Sequence, residues 1–311
     1  MTQSRFLFIT LSNIGDALLT TPVLQFLHRY DEHASIDIVS DKRSSMLFLH
    51  CPYRGEIYHK HKDRLLRGIP ALLFELRRKR YDLIVDLRTD ILARLIRAEK
   101  RLTKAGKGRH IHAVENHFSA VSEIAGDEKI PPTTLWLGQA DIDYANDICR
   151  RLPGKKWLAI GPGANWDKKI WPAEKYAKLV RTLAGEFDAL VLLGNEADDA
   201  KAQPLARHAT LPCVNLCGQS TLLQAAAMME KMTLFIGNDS GLGHIASAVG
   251  TASITLFGPG DPERYHPWGE LAGWHAATDR NIESIPVDII TRKVKEHLIQ
   301  ASQIQDTHKF S

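Results

Sequence analysis

Cysteine is rare in this 311-residue chain, which has four: Cys51, Cys149, Cys213 and Cys217. Four scattered cysteines are too few for a disulfide framework in a chain of this size. Cys213 and Cys217 lie near each other, but no second pair follows them. We therefore interpret them as small buried residues and not as metal ligands.

Long apolar runs are also lacking. No stretch reaches the length that spans a membrane. The N-terminal sequence Met-Thr-Gln-Ser-Arg has no basic patch followed by the apolar run of a signal peptide. Together with the few cysteines, these absences predict a cytoplasmic protein that works at most on a membrane surface.

Aromatic residues make up only 7% of the chain, while 44% of it is hydrophobic and 24% is charged. This composition is typical of a soluble globular protein and excludes disordered and fibrous classes. The length suits two domains, each large enough to bury its own core.

Short apolar runs alternate with amphipathic segments, which predicts an α/β fold with doubly wound parallel sheets. In the first half the predicted strands are Phe6–Leu11, Ile36–Val39 and Leu83–Leu87. The predicted helices there are Asp16–Arg29, Pro70–Arg80 and Asp90–Ala98.

The alternation breaks where Pro153 and Gly154 interrupt a basic stretch, so we place a domain boundary there. This gives lobes at 1–152 and 153–286, and a final helix within 287–311 that we expect to pack back across the lobes. The predicted strands of the second lobe are Trp157–Ile160, Leu190–Leu193, Val214–Leu216, Leu234–Ile236 and Ser253–Phe257. Its predicted helices are Ala173–Glu186, Ala197–His208, Leu222–Lys231 and Gly241–Val249.

A turn rich in glycine follows the predicted strand at 234–236 and reads Gly-Asn-Asp-Ser-Gly-Leu-Gly-His. Its small residues and the following helix N-terminus suit an anion such as a diphosphate. The late position and the missing third glycine exclude a dinucleotide fingerprint, and the missing Gly-Lys-Ser/Thr excludes a P-loop. A plain turn with Ser240 as helix cap is the alternative.

Two further loops follow predicted strands. Gly161-Pro-Gly-Ala-Asn-Trp-Asp-Lys-Lys-Ile-Trp-Pro lies at the carboxyl end of the second sheet, where ligands bind in open α/β folds, and Lys168 or Lys169 can offer a cation there. Ser12-Asn-Ile-Gly-Asp-Ala-Leu-Leu-Thr-Thr-Pro follows the first strand. Taken alone, Asp16 is explained as a carboxylate that stabilises a helix start.

Together these blocks, with Leu-Leu-Gly-Asn-Glu-Ala-Asp-Asp and the stretch from Asn215 to Pro262, resemble the ADP-heptose:lipopolysaccharide heptosyltransferases, glycosyltransferase family 9. The resemblance covers nearly the whole chain. It implies the GT-B fold, in which two Rossmann-like parallel-sheet lobes face each other across a cleft.

The resemblance also implies roles for single residues. Asp16 matches the catalytic base that takes the acceptor hydroxyl's proton, and Asp239 matches the acid that touches the donor sugar. The residues implied to hold the donor diphosphate are Lys169, Ser240, Gly241, Leu242 and Gly243, with Asn165 where some members have a hydroxyl residue, and with His244, which either faces the phosphates or packs internally. Those implied to border the ribose and base are Asp198 or, as second choice, Glu196, with Gln219, Ser220 and Thr221.

The implied activity is an inverting, metal-independent transfer of a heptose or related sugar from ADP-heptose, or another nucleotide-diphosphate sugar, to a lipopolysaccharide inner core. No metal or other cofactor is expected, because a helix N-terminus and a lysine can stabilise the diphosphate leaving group. A sugar-nucleotide 2-epimerase of the same architecture and a non-catalytic sugar-nucleotide-binding member are the alternatives. Asp141 and Asp143 resemble a metal-binding DxD, but a helix would point the two carboxylates apart.

Positive charge is concentrated in the first lobe. Between Lys42 and Arg109 there are 19 lysines and arginines against 7 acidic residues, although the net charge of the whole chain is only +4. No nucleic-acid-binding motif accompanies this surplus. We therefore expect no nucleic acid partner but an anionic glycolipid acceptor, peripheral contact with the inner membrane, and a monomer. The predicted acceptor-binding residues are Arg77, Arg78, Lys79 and Arg80, with Arg88 from a weak match to the family.

Overall fold

The structure, a computed structural model, describes residues 3–60, 68–88, 91–104 and 111–309. The chain divides into two compact units, Met1–Trp136 and Leu137–Ser311. Each contains one parallel sheet.

The first unit is built on a five-stranded sheet with the strand order β3-β2-β1-β4-β5. Its strands are β1 (Arg5–Ile9), β2 (Ser35–Ser40), β3 (Arg54–His59), β4 (Tyr81–Asp86) and β5 (Ala98–Thr103). Its helices are α1 (Ile14–Leu18), α2 (Thr21–Tyr30), α3 (Gly68–Arg77), α4 (Ala113–Phe118) and α5 (Ser122–Ala125), with 3-10 turns at Ser45–Phe48, Ile91–Leu95 and Ser119–Val121.

The central strand β1 is buried along almost its whole length and pairs in parallel with β2 and β4. Leu72 and Leu76 of α3 pack with Leu7 and Ile9 of β1 in one core cluster. Because side chains alternate between the two faces of a strand, α3 packs on the face of the sheet that carries Leu7 and Ile9.

The predicted helix Asp90–Ala98 is wrong: a 3-10 turn ends at Leu95 and β5 begins at Ala98, while Asp90 itself lies outside the described residues. The edge strands β3 and β5 were not predicted from the sequence. Both alternate exposed and partly buried residues along most of their length. Edge strands of this kind lack the continuous apolar run of a buried parallel strand, so their sequences give no strand signal.

The second unit has a six-stranded parallel sheet with the strand order β11-β10-β9-β6-β7-β8. Its strands are β6 (Trp157–Gly161), β7 (Ala189–Leu192), β8 (Cys213–Asn215), β9 (Leu234–Asn238), β10 (Ser253–Phe257) and β11 (Ala272–Ala276). Its helices are α6 (Gln139–Cys149), α7 (Ala173–Thr182), α8 (Asp199–His208), α9 (Leu222–Glu230), α10 (Gly241–Ala248), α11 (Pro262–Tyr265) and α12 (Val287–Lys309), with 3-10 turns at Asp167–Lys169, Glu196–Asp198 and Ile282–Ser284.

Two core clusters, one on each face, bury this sheet. One contains Leu179 of α7 and Ile290 of α12, and the other contains Met228 of α9 and Ala246 of α10. Helices on both faces make this the doubly wound arrangement that the sequence predicts.

The boundary between the units lies before α6, ahead of the boundary predicted at Pro153 and Gly154. Ala145 and Ile148 of α6 are buried in the same cluster as the α9 side chains. The helix therefore belongs to the second unit, although the chain turns sharply only after it. Buried side chains of α12, including Val294, pack in the core of this unit.

Candidate active site

The loops that follow β6, β9 and β10 meet at one edge of the second sheet, because β9 lies between the other two strands. The carboxyl edge of an open parallel sheet is where ligands bind in such folds. The two sequence blocks at 161–172 and 237–244 are thus brought side by side, as their positions after predicted strands indicated.

Asn238, the last residue of β9, ties these loops together. Its side chain is fully buried, and its amide nitrogen donates to the carbonyls of Pro162 at 3.0 Å and Gly163 at 3.2 Å. Its Oδ1 accepts from the Trp171 backbone N–H and from the Tyr176 hydroxyl, both at 3.0 Å. All the hydrogen-bonding capacity of the amide is therefore used to hold the loop after β6 against the end of β9.

Lys169 and Asp239 meet at this edge. Lys169 ends a 3-10 turn, and its Nζ lies 2.5 Å from Asp239 Oδ2. The side chains are partly buried, 28% and 12% exposed. A Cβ at Gly260, in the loop after β10, would lie 2.6 Å from the same carboxylate oxygen. A side chain at position 260 would therefore require the Asp239 carboxylate to shift.

Helix α10 begins directly after Ser240. This serine occupies the N-cap position but makes no capping hydrogen bond through its side chain, and its buried hydroxyl has no partner among the described residues. The backbone N–H groups of Gly241, Leu242 and Gly243 belong to the first turn, where an α-helix leaves its donors unsatisfied. His244 is buried in the same turn, 8% exposed.

Gly243 is needed for close packing of α10 on the sheet. A Cβ there would lie 2.6 Å from Thr255 Oγ1 on β10. The helix N-terminus can therefore sit directly above the strand ends. The partial positive charge of that terminus lies beside the ammonium group of Lys169, so both favour an anion.

The two carboxylates predicted for the ribose differ in their surroundings. Asp198 is only 7% exposed, accepts from the Asn195 backbone N–H at 3.0 Å, and packs against Gly163 so closely that a Cβ there would collide with it. Glu196 is exposed beside Gly218. The fold therefore uses Asp198 to close its own turn, whereas Glu196 is the carboxylate open to solvent.

The segment predicted to border the base follows Gly218, whose positive φ of 69° suits glycine. The Tyr144 hydroxyl of α6 donates to the Gln219 carbonyl at 3.1 Å. Thr221 caps α9 in a reciprocal pair with Gln224, so its side chain serves the helix. The buried hydroxyl of Ser220 has no partner in the described chain.

Asn165 is exposed in the loop after β6. The adjacent Trp166 is 49% exposed, and Lys168 Nζ lies 5.6 Å from the centre of its ring. The two neighbouring lysines are thus separated: Lys168 contacts Trp166, and Lys169 contacts Asp239. The two cations that the sequence offers thus have different surroundings.

In the first unit, Asp16 lies in α1, just after the loop that follows β1. Asn13 donates its side-chain amide to Asp16 Oδ2 at 2.9 Å. This contact orients the carboxylate and leaves its other oxygen for a further partner. In the sequence, Asn13 stands out only as part of the motif, and nothing there assigns it a role.

Arg88 lies at the same carboxyl edge of the first sheet. The Leu87 backbone N–H donates to the Ile9 carbonyl at 3.0 Å, and the Arg88 N–H donates to Asp86 Oδ1 at 2.8 Å. The loop after β4 therefore runs beside the loop that leads to Asp16.

The basic tract Arg77–Arg80 lies elsewhere. It precedes β4, whereas Arg88 follows it, and the length of that strand separates the two edges by about 17 Å. The structure therefore does not bring this tract, which is predicted to bind the acceptor, together with Asp16 and Arg88. Its members belong to the opposite edge from Asp16.

Lys79 is further corrected to a structural residue. Its Nζ lies 2.9 Å from the buried Asp37 Oδ2 and 3.0 Å from Glu56 Oε2. The Tyr81 hydroxyl donates to Asp37 at 3.0 Å. Although burial opposes the charged form, hydrogen bonds to Tyr58, Asp37 and Glu56 raise the pKa of Lys79 well above its usual range.

The two sequence motifs that resemble metal sites, Asp141 with Asp143 and Cys213 with Cys217, have structural surroundings. Asp141 caps α6 through the Gly138 backbone N–H, and Asp143 accepts from Gln139. Burial raises the pKa of the Cys217 thiol to about 12. Within 3–60, 68–88, 91–104 and 111–309, no three His, Cys, Asp or Glu side chains are grouped as metal ligands. No helix in these ranges combines the length and apolarity needed to cross a membrane.

The amino-acid sequence is similar to those of known proteins. Residues 69–283 match the sequence family described as glycosyltransferase family 9 (heptosyltransferase). Lipopolysaccharide heptosyltransferase 3 of Escherichia coli (strain K12) is 28% identical over 293 residues, covering 82% of this chain and 83% of the relative.

Two solved structures share the fold. The glycosyl transferase family 9 structure from Veillonella parvula DSM 2008 has a TM-score of 0.86 at 20% identity, covering 96% of this chain and 97% of that one. E. coli ADP-heptose lps heptosyltransferase II has a TM-score of 0.78 at 20% identity, covering 96% and 99%. The predicted α/β fold with two parallel sheets, of the GT-B class, is confirmed.

Proposed function

The chain belongs to glycosyltransferase family 9, as its motifs predicted, and from this premise we propose that it transfers a heptose from ADP-heptose to the inner core of a lipopolysaccharide. The names of its relatives support this donor and acceptor. The proposed reaction inverts the anomeric centre and needs no metal ion.

The observation that carries the proposal is the pairing of Lys169 with Asp239 at the N-terminus of α10. A nucleotide-diphosphate sugar needs a cation and N–H donors for its phosphates and an acceptor for its sugar hydroxyls. Lys169 with the first turn of α10 supplies the former, and Asp239 supplies the latter. When the donor binds, its diphosphate shares the Lys169 ammonium group with Asp239.

The proposed chemistry starts at Asp16. The acceptor hydroxyl oxygen attacks the anomeric carbon while the Asp16 carboxylate takes its proton. The bond from that carbon to the β-phosphate oxygen breaks, and its electron pair leaves with ADP. Negative charge grows on the diphosphate in this step, where Lys169 and the helix end stabilise it in place of a metal.

Other residues complete the donor site. We propose that Glu196, the exposed carboxylate, binds the ribose hydroxyls, and that the backbone around Gln219 borders the base. Ser240 offers its hydroxyl, which has no partner among the described residues, to the diphosphate. His244, buried in the same turn, supports the helix end from inside.

The acceptor is proposed to be polyanionic and to approach the first unit. The charge surplus between Lys42 and Arg109 attracts such a molecule at long range. Arg88, at the same sheet edge as Asp16, is the proposed direct contact. We place the enzyme, as a monomer, at the cytoplasmic face of the inner membrane, where such a glycolipid is assembled.

The test is a transfer assay with ADP-heptose and a lipopolysaccharide that lacks the added heptose. We expect the wild-type protein to add one heptose, detected by mass spectrometry, with the anomeric configuration inverted by NMR. Asp16→Asn should abolish transfer, because the amide keeps the shape but cannot accept a proton, while ADP affinity by calorimetry stays nearly unchanged.

Near wild-type turnover in the Asp16→Asn variant would remove Asp16 as the base. Wild-type protein that binds ADP but transfers no sugar to any lipopolysaccharide acceptor would favour a non-catalytic member. Release of an epimerised sugar nucleotide without an acceptor would favour the epimerase.

A further inference from the structure

The outer surface of one layer in the first unit combines apolar and basic side chains. Helix α3 and the 3-10 turn Ile91–Leu95 cover the same face of the sheet, since Leu76 of the helix and Leu92 of the turn belong to one core cluster. The Arg77 guanidinium joins the two elements by donating to the Leu95 carbonyl at 2.7 Å. Residues that point away from this cluster on both elements therefore share one outer surface.

Two large apolar side chains lie on that surface. Phe74 is 69% exposed, the highest value among the large hydrophobic residues in the described ranges, and Leu95 is 40% exposed. Phe74 lies one helical turn before Arg77, so its neighbours on the helix surface are Arg77 and Arg78. Exposed apolar surface that is rimmed by polar side chains is typical of sites that contact a membrane or another protein.

The surrounding charge is positive and largely unpaired. Arg78, Arg94 and Arg97 are exposed, and none has a carboxylate within ion-pair distance in the parts of the chain that the structure describes. Glu99, two residues after Arg97, is already paired with Arg80. We call the surface formed by Phe74, Arg77, Arg78, Arg94, Leu95 and Arg97 the basic-apolar face.

We propose that the basic-apolar face docks on an anionic phospholipid bilayer, with Phe74 and Leu95 entering the headgroup region and the arginines meeting lipid phosphates. Basic residues around exposed aromatic and aliphatic side chains are the combination that binds such interfaces. A deeply apolar partner surface would leave the guanidinium groups without counter-charges, whereas a bilayer satisfies both kinds of side chain.

The inference rests on the proposed function in one respect, namely that the acceptor is itself a lipid. The position of the basic-apolar face is consistent with a lipid acceptor whose sugar core reaches Asp16. It lies toward the strand starts, about 17 Å from the sheet edge that carries Asp16 and Arg88. The bilayer therefore holds this surface, while the sugar core of the acceptor extends to the other edge.

The experiment is vesicle co-sedimentation of the full chain, without donor or acceptor. The wild-type protein should sediment with phosphatidylcholine vesicles that contain phosphatidylglycerol and stay in solution with phosphatidylcholine alone. Phe74→Ser with Leu95→Ser should abolish most of the binding. Arg78→Gln with Arg94→Gln should lower the partition coefficient by about tenfold or more.

Matched controls are Ile299→Ser and Arg181→Gln, exposed residues of the second unit, which should bind vesicles like the wild type. Transfer to a deacylated, soluble acceptor should be unchanged in the Phe74/Leu95 variant, which also shows that it folds. Absence of wild-type binding to anionic vesicles, or equal binding by wild type and both double variants, overturns the proposal. Loss of activity on the soluble acceptor in every protein, wild type included, would instead overturn the proposed function.

Discussion

Asn238 is a single buried amide that organises the loops at the carboxyl edge of the second sheet. It connects the carbonyls of Pro162 and Gly163 with the segment that carries Trp171. The 3-10 turn of Lys169 lies between these two attachment points, and Asp239 is the next residue along the chain. Asn238 is therefore a positioning residue for the ion pair of the donor site.

We predict that Asn238→Asp weakens both the fold and donor binding. One carboxylate oxygen can still accept from the Trp171 N–H and the Tyr176 hydroxyl, but the other oxygen faces the carbonyls of Pro162 and Gly163 and cannot donate to them. The loss of these two hydrogen bonds should lower the free energy of unfolding by about 1–3 kcal/mol. Urea unfolding and calorimetric titration with ADP measure the two effects. Unchanged ADP affinity in a folded Asn238→Asp variant would show that the amide does not position the site.

Lys169 can be separated experimentally from its neighbour. We predict that Lys169→Ala weakens ADP binding by about 1.5–3 kcal/mol, because a charge-assisted hydrogen bond to the diphosphate is lost and Asp239 is left without its cation. The matched control is Lys168→Ala, since Lys168 lies over Trp166. Calorimetry should find a small effect for Lys168, and the reverse order would exchange the two assignments.

At the scale of elements, the basic tract that ends α3 and leads into β4 consists of residues with different functions. Lys79 turns inward to Asp37 on β2, whereas Arg78 is exposed and Arg80 pairs with Glu99 on β5. Of the four consecutive basic residues, Lys79 therefore links the start of β4 to β2 and β3. Removing the whole tract at once would confuse loss of binding with loss of stability.

We predict that Lys79→Ala lowers the free energy of unfolding by up to about 3 kcal/mol, because Asp37 stays buried with one cation fewer. The loss should be below the full cost of an isolated charge, since Tyr81 and the Glu56 backbone still donate to Asp37. Arg78→Ala is the control and should change stability by no more than about 0.5 kcal/mol. Equal stability of the two variants in urea would contradict a structural role for Lys79.

At the scale of the whole molecule, the proposed roles fall on both units. The second unit carries the groups proposed for the donor, and the first carries Asp16 and the basic surfaces. In the proposed reaction, Lys169 and the N-terminus of α10 stabilise the leaving diphosphate, so no divalent cation is required for that step.

Transfer should therefore persist when EDTA is present. The measurement is the initial rate of heptose transfer with and without the chelator, with a metal-dependent glycosyltransferase in the same buffer to show that the chelator acts. A rate that fell with EDTA and recovered with magnesium would mean that Lys169 and α10 do not suffice.

Local sequence was enough to predict the main elements of the second unit. Its strands at 157–160, 190–193, 234–236 and 253–257 are buried on both sides, and such strands appear as continuous apolar runs. The glycine-rich turns could also be predicted from local sequence, because close approach of the backbone favours glycine at that position. The motifs at Asp16, Lys169 and Asp239 were sufficient to identify the family.

Tertiary structure decided how individual polar side chains are used. The sequence offers Asp198 and, as second choice, Glu196 for the ribose, yet Asp198 is buried against Gly163 and Glu196 is exposed. Lys79 resembles its basic neighbours until β2 places Asp37 beside it. Hydrogen bonds and burial join residues far apart in the chain, so the chemistry available at each position depends on neighbours that no local pattern specifies.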